Sequence, residues 1–183
     1  RVALAGGQRR GAGRGLAEER ERLSALLRTG HCDFDGRWYQ VRDCELRPRG
    51  PRPEGPPIVV GTAGERMLGL TAKYADGWNT WFSQTNNDLA QLRALMQRVD
   101  AACEAQGRDP KTLSRSSAIK VEIGPHAPSA MSVAPLTGGP EALADQLRDY
   151  AAAGLDHVQL WIEPNTVAGY EAFARVLELL DQD

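Results

Sequence analysis

The chain has 183 residues, a formal net charge of −2 and a pI of about 6.0. That is enough chain for one domain with a real core, and the balanced charge gives no general pull toward nucleic acid or an anionic membrane. No apolar run approaches the roughly 20 residues of a membrane span, and Arg1 and the glycines after it lack the apolar stretch of a signal peptide.

Cys32, Cys44 and Cys103 are odd in number, far apart in the sequence and without metal-ligand spacing. They read as reduced thiols of a cytoplasmic protein. An Arg rather than a Met at position 1 suggests a piece of a longer reading frame.

Residues 1–15 are rich in Arg and Gly and show no hydrophobic periodicity beyond a short apolar run at Val2 to Ala5. They read as an irregular segment, and without an aromatic they give little basis for RNA binding. Residues 16–28 form an amphipathic helix with Leu16, Leu23, Leu26 and Leu27 on one face, capped by Gly30. Residues 33–46 suit a hairpin, with Phe34 and Tyr39 flanking the turn pair Asp35-Gly36. The proline-rich residues 47–57 exclude helix and central strand.

The rest of the chain is organised around Pro56 to Leu68. Ile58, Val59 and Val60 are a continuous apolar run, as in a strand covered on both faces. Gly61, Thr62, Ala63 and Gly64 then lead into a helix from about Glu65. Gly61 and Gly64 allow positive φ or a close approach. Amides at a helix start lack internal partners and can hold an anion. The same glycines also suit an ordinary strand–helix turn that needs them only for tightness.

Beyond the helix at 65–74 the alternation continues. Strand 77–82 precedes a helix over about 87–105 with Leu89, Leu92, Leu95, Met96 and Val99 at helical spacing. Strand 118–123 alternates Ile119, Val121 and Ile123 with Lys120 and Glu122. After a Pro/Ser/Ala loop, a helix opening at Pro140 buries Leu143, Leu147 and Tyr150 and stops at Gly154. Strand 157–162 and a helix over 167–180, carrying Tyr170, Phe173, Val176 and Leu177, complete the chain. Four strand–helix units in succession imply parallel strands with right-handed crossovers. They fit either an open doubly wound sheet or part of an eight-fold barrel, whose full length is about 250 residues.

The order of Phe34-Asp35-Gly36-Arg37-Trp38-Tyr39, the proline run, Pro56 to Gly64 and Tyr74-Ala75-Asp76-Gly77-Trp78-Asn79 resembles the bacterial luciferase-like monooxygenase family. Leu136 to Glu141 and Ala152 to Val158 resemble its closing units. The resemblance runs from about Leu16 to the C-terminus. It implies an α/β fold, a partial TIM (βα)8 barrel consisting of the last four strand–helix units, with residues 16–183 as the C-terminal half. It also implies an oxidoreductase that uses FMN or coenzyme F420 for hydride transfer on a small organic substrate. Carried over by position, Gly61, Thr62, Ala63 and Gly64 would bind the cofactor phosphate, with Gly77, Trp78 and Asn79 beside it. No catalytic residue is assigned, and no metal, nucleic-acid or membrane partner is expected.

Two other readings stand beside this one. The chain could be a non-catalytic half-barrel with residual phosphate binding or an assembly role, or an unrelated open sheet. Exposed strand edges would let two copies pair as a homodimer.

Among single residues, Thr62 could offer its hydroxyl to a phosphate, or bond its own turn. Trp78, Trp81 and Trp161 could wall a ring pocket or fill the core. Glu163 could contact substrate or cofactor, Arg66 and Lys73 could approach the phosphate, Asp76 could orient the neighbouring loop and His157 could be catalytic; the plainer reading of each is a surface, turn or structural group. His31 and His126 lack ligand-spaced partners in the sequence.

Overall fold

The computed structural model describes residues 12–124 and 132–182. His126 and most of the Pro/Ser/Ala loop lie outside the described residues, as does nearly all of the Arg/Gly segment. In space the chain forms two compact units, Arg1–Ile58 and Val59–Asp183.

The first unit holds helix α1 (Ala12–Thr29) and a hairpin of β1 (His31–Asp35) and β2 (Gln40–Glu45). The helix starts at Ala12, so Ala12 to Gly15 are helical rather than irregular. Once the amphipathic stretch has nucleated, each further residue adds a hydrogen bond without a new nucleation cost. Gly30 ends the helix as expected, at φ +80°, with its amide donating to the Leu26 carbonyl at 2.9 Å. The Glu18 carboxylate accepts from the hairpin-turn amides of Arg37 at 3.1 Å and Trp38 at 2.8 Å, which ties α1 to the hairpin. Cys32 and Cys44, far apart in sequence, stand directly opposite each other in the antiparallel pair, as free thiols.

The second unit runs β3 (Val59–Gly61), α2 (Glu65–Tyr74), β4 (Gly77–Thr80), α3 (Leu89–Ala105), β5 (Ser114–Glu122), α4 (Pro140–Ala152), β6 (His157–Glu163) and α5 (Val167–Leu180). Its four strands are all parallel and lie in the order β3-β4-β5-β6. A doubly wound sheet reverses its strand order at a switch point. This sheet never does, and successive right-handed crossovers in one direction put every helix on the same face. That is the winding of a barrel segment, and the sheet is left unclosed.

Several boundaries differ from the sequence expectation. Among the described residues strand β3 has a neighbour on one side only, and Val59 is 56% exposed, so the apolar run is an edge strand and not one covered on both faces. Strand β4 stops at Thr80, and a single 3-10 turn, Phe82–Gln84, follows. Strand β5 begins at Ser114, because the polar run Ser114 to Ser117 pairs with all of β4. Helix α3 begins after Asp88, whose side chain accepts from the Gln91 amide. In α5, Phe173 and Val176 are buried while Tyr170 and Leu177 face solvent.

Side chains alternate across a sheet. The register therefore sets Asn79, Ser116 and His157 in one row, with Lys120 beside Trp161 and Glu122 beside Glu163 further along the same face. Trp78, Ile119 and Val121 belong to the opposite, apolar face and are each at most 1% exposed. The polar face is where the candidate site lies.

Candidate functional site

The C-terminal ends of parallel strands form the mouth where barrel enzymes keep their sites. Three features gather there: the turn after β3, an aromatic group after β4 and on β6, and an ion cluster at the ends of β5 and β6.

The turn is held from below. The Thr62 amide donates to the Asn79 carbonyl at 3.2 Å, and the Trp78 indole Nε1 donates to the Thr62 carbonyl at 2.8 Å. Thr62 is buried, and its amide is used by the sheet rather than offered outward. The Ala63 carbonyl accepts from Arg98 Nη2 at 2.9 Å, and the same guanidinium reaches Glu65 at 3.5 Å. Gly64 is the N-cap of α2 and supplies no side-chain cap. The amides of Ala63, Gly64 and Glu65 meet no acceptor among the described residues.

Neither turn glycine takes positive φ, which leaves close approach as the reason the sequence reading offered; Gly64 sits at φ −81° and ψ 138°. A Cβ built at Gly64 meets nothing within 4 Å, and one at Gly61 approaches only the Asn79 carbonyl, at 3.9 Å. What the glycines provide is open space over three amides at a helix start. That arrangement fits an anionic tail.

Of the residues singled out in the next strand, Asn79 is level with Gly61 and therefore at the mouth. Its Oδ1 accepts from Ser116 Oγ at 2.9 Å. Gly77 lies level with Val59, at the start of β4 rather than its end. A Cβ there would come 2.6 Å from Ser114 Oγ and 3.3 Å from Val59 Cγ2, so this glycine serves close strand packing. The Trp78 ring is fully buried on the opposite face and reaches the turn only through its indole N–H.

Trp81 and Trp161 are each 39% exposed. Their rings meet edge to face with centroids 5.9 Å apart, against a fully buried Phe82 whose centroid is 4.6 Å from that of Trp81.

Sequence reasoning passed over Lys120. Its side chain is 1% exposed, and Nζ lies 3.3 Å from both Glu122 Oε1 and Glu163 Oε2. The available signal was a lysine flanked by Ile119 and Val121 in a strand with neighbours on both sides. Asn87 was also passed over. At φ +54° its amide group closes on the Lys120 backbone, donating to the carbonyl at 2.9 Å and accepting from the amide at 3.0 Å. Tyr150 Oη donates to the Asn87 carbonyl at 2.8 Å. Burial, and then the nearby Asp88 carboxylate, push the Tyr150 hydroxyl up to about 12.

His31 Nε2 lies 3.2 Å from Asp43 Oδ1, a carboxylate neighbour that the sequence spacing did not suggest. Among the described residues no three His, Cys, Asp or Glu side chains are placed to share a metal ion. No described helix is long and apolar enough to cross a membrane.

Comparison with known proteins bears on the family and the fold. A 94-residue stretch is 31% identical to the pyrimidine monooxygenase RutA of Caulobacter segnis, covering 51% of this chain and 26% of that protein. Among solved structures, the EDTA monooxygenase EmoA of Chelativorans sp. BNC1 superposes with a TM-score of 0.71 at 13% identity, over 98% of this chain and 61% of that one. An F420-dependent secondary alcohol dehydrogenase, solved with an F420-acetone adduct, gives 0.70 at 12% identity, over 98% of this chain and 65% of that one. At such identities the structures speak for the fold, a partial (βα)-barrel, and the chain spans only part of each relative. The family model for luciferase-like monooxygenases matches residues 3–135, more than half of the sequence, and the chain belongs to that family.

Proposed function

We propose that this chain binds the phosphate tail of FMN or coenzyme F420 at the turn Gly61, Thr62, Ala63 and Gly64, as part of an oxidoreductase acting on a small organic substrate. The observation that carries this reading is Gly64: its backbone is open to any residue and a Cβ there would touch nothing, yet the position is bare. The fold does not need that glycine, whereas an approaching phosphate does. Ala63, Gly64 and Glu65 would donate their amides, Arg98 holds the Glu65 carboxylate, and Trp78 and Asn79 fix the turn from beneath. A bound flavin or deazaflavin would supply hydride transfer through its ring. The protein's contribution is position and electrostatics.

The test compares FMN with riboflavin, which lacks the phosphate, by fluorescence titration of the intact chain and its Gly64→Val variant. FMN is expected to bind at least about tenfold more tightly than riboflavin, a gap of ~1.4 kcal/mol, and Gly64→Val should erase the gap while melting near the parent temperature. Equal affinities in the parent chain would refute the phosphate turn.

A second reading rests on the unclosed sheet, whose outer strands β3 and β6 each have one strand neighbour. In it, this half-barrel binds phosphate without turnover, or closes by pairing with a second copy. Sedimentation and a turnover assay on the chain alone separate it from the first.

A further inference from the structure

The ion cluster at the ends of β5 and β6 has no part in the phosphate turn. A buried charged pair is seldom worth its desolvation, and apolar residues of similar volume often serve stability as well or better. Lys120 nevertheless stands in a strand flanked by apolar residues, 1% exposed. It is also seated with unusual completeness. Asn87 bonds both its backbone amide and its carbonyl, and that carbonyl also accepts from the Leu136 amide at 2.8 Å. Tyr150 in turn holds Asn87. Three separate segments of chain therefore fix where the ammonium projects.

From that seat the contacts lead outward. Lys120 Nζ lies 3.3 Å from Glu163 Oε2, and the other oxygen of the same carboxylate, Oε1, accepts from Trp161 Nε1 at 3.2 Å. Trp161 then meets Trp81 edge to face. The carboxylate is thus held between a fixed buried cation and a half-exposed indole at the mouth of the sheet.

We propose that Lys120 is a positioning residue: through Glu163 it sets the angle of the Trp161 indole, which with Trp81 forms a wall for a flat heteroaromatic ring. This deepens the reading above, since it rests on a flavin-type ring reaching the mouth. Strands in a sheet are spaced about 4.8 Å apart, so along the sheet the wall runs from roughly 5 Å (Trp81, after β4) to roughly 14 Å (Trp161, on β6) from the β3 turn. A phosphate and a ring joined by a short polyol chain can span that separation. Glu122 Oε1, 3.3 Å from the ammonium, balances it as a second carboxylate beside Glu163.

The relay is tested on the intact chain with near-UV circular dichroism and riboflavin titration. Riboflavin probes the ring wall without the phosphate turn. The Trp161 contribution to the spectrum is defined as the difference between the parent and Trp161→Phe. Three variants are compared. Lys120→Met combined with Glu122→Gln keeps the net charge of the cluster. Glu163→Leu leaves the Lys120–Glu122 pair intact. Lys120→Arg retains the cation. The first two should lose the Trp161 signal and weaken riboflavin about tenfold, and Lys120→Arg should restore most of both. Added to Trp161→Phe, the Lys120→Met/Glu122→Gln pair should cause little further loss, since residues acting through one another are not additive.

If cooperatively melting Glu163→Leu keeps the parental Trp161 signal, the relay is overturned. If the signal is lost but riboflavin binds as in the parent, the ring wall is overturned. A parent chain that binds FMN but not riboflavin also overturns the wall, while leaving the phosphate turn standing.

Discussion

Trp78 offers the sharpest test of how the mouth is built. Its ring is 0% exposed, and its indole N–H donates to the Thr62 carbonyl at 2.8 Å, on a residue itself 7% exposed. Trp78→Phe keeps an aromatic but removes part of the ring and the donor. Full truncation of a buried Trp or Phe costs about 3–5 kcal/mol, and this partial one should cost about 1–2. Leaving the buried Thr62 carbonyl without its donor adds about 1–3 kcal/mol. The sum, about 2–5 kcal/mol, is a large share of the ~5–15 kcal/mol by which a protein is stable. For a chain of this size it lowers Tm by roughly 4–20 °C. Urea unfolding followed by far-UV circular dichroism measures it without relying on indole emission. The midpoint should fall with an unchanged slope, and the preference for FMN over riboflavin should shrink as the turn loosens. A loss under about 1 kcal/mol would mean that the indole neither fills the core nor braces the turn, and the reasoning would fail.

The other predictions concern groups around this frame. Tyr150 has a hydroxyl pushed up to about 12 in the folded state, against about 10 unfolded. Its contribution is therefore complete below pH 10 and is lost as pH rises from 10 through 12. The limit is roughly 3 kcal/mol, and urea melts at pH 9 and 11.5 should show a steeper loss in the parent than in Tyr150→Phe. Arg108 bonds the Ala72 carbonyl at 3.0 Å, the Ala75 carbonyl at 2.7 Å, and both Thr112 oxygens at 2.8 Å, bracing the end of α2. Arg108→Met should cost about 2–4 kcal/mol, and Arg108→Lys should recover only part because a lysine cannot fork between these acceptors. Burial raises the Cys103 thiol and Cys32 is buried, so Cys44, partly exposed, should react first with a disulfide reagent in native buffer. A chain in which Cys103 reacts first would contradict its place on the buried face of α3.

The element series was legible because its periodicities are strong. Helix 167–180 and helix 65–74 are found as read, and the parallel winding follows from alternation alone. What was not legible depended on partners distant in sequence. Ser114 to Ser117 look like loop, yet they are strand because β4 lies beside them. Ile58 to Val60 look like a central strand, yet among the described residues the strand beside this run is β4 alone and Val59 is exposed. At the site, the glycine-bracketed turn was readable as a helix start. The side chains that support it were not. Trp78 and Thr62 are sixteen residues apart, and Asn87 and Lys120 thirty-three. Local spacing carries no trace of either pairing.

The two faces of the sheet divide the labour of this chain. One face takes Trp78, Ile119 and Val121 against the helices and supplies the cohesion. The other carries Asn79, Ser116, His157, Gln159, Lys120, Trp161, Glu122 and Glu163, a set far too polar for a core that needs only to be dry. A buried lysine and a tryptophan tied to a carboxylate are costly choices unless their positions are used. They lie toward the C-terminal ends of β5 and β6, the same end as the open amides after β3, and that end is where a barrel gathers its ligands. Polar residues on the sheet's inner face, bare backbone at Gly64 and aromatic edges at Trp81 and Trp161 are what the proposed ligand, with its charged tail and flat ring, would require at that end of the sheet.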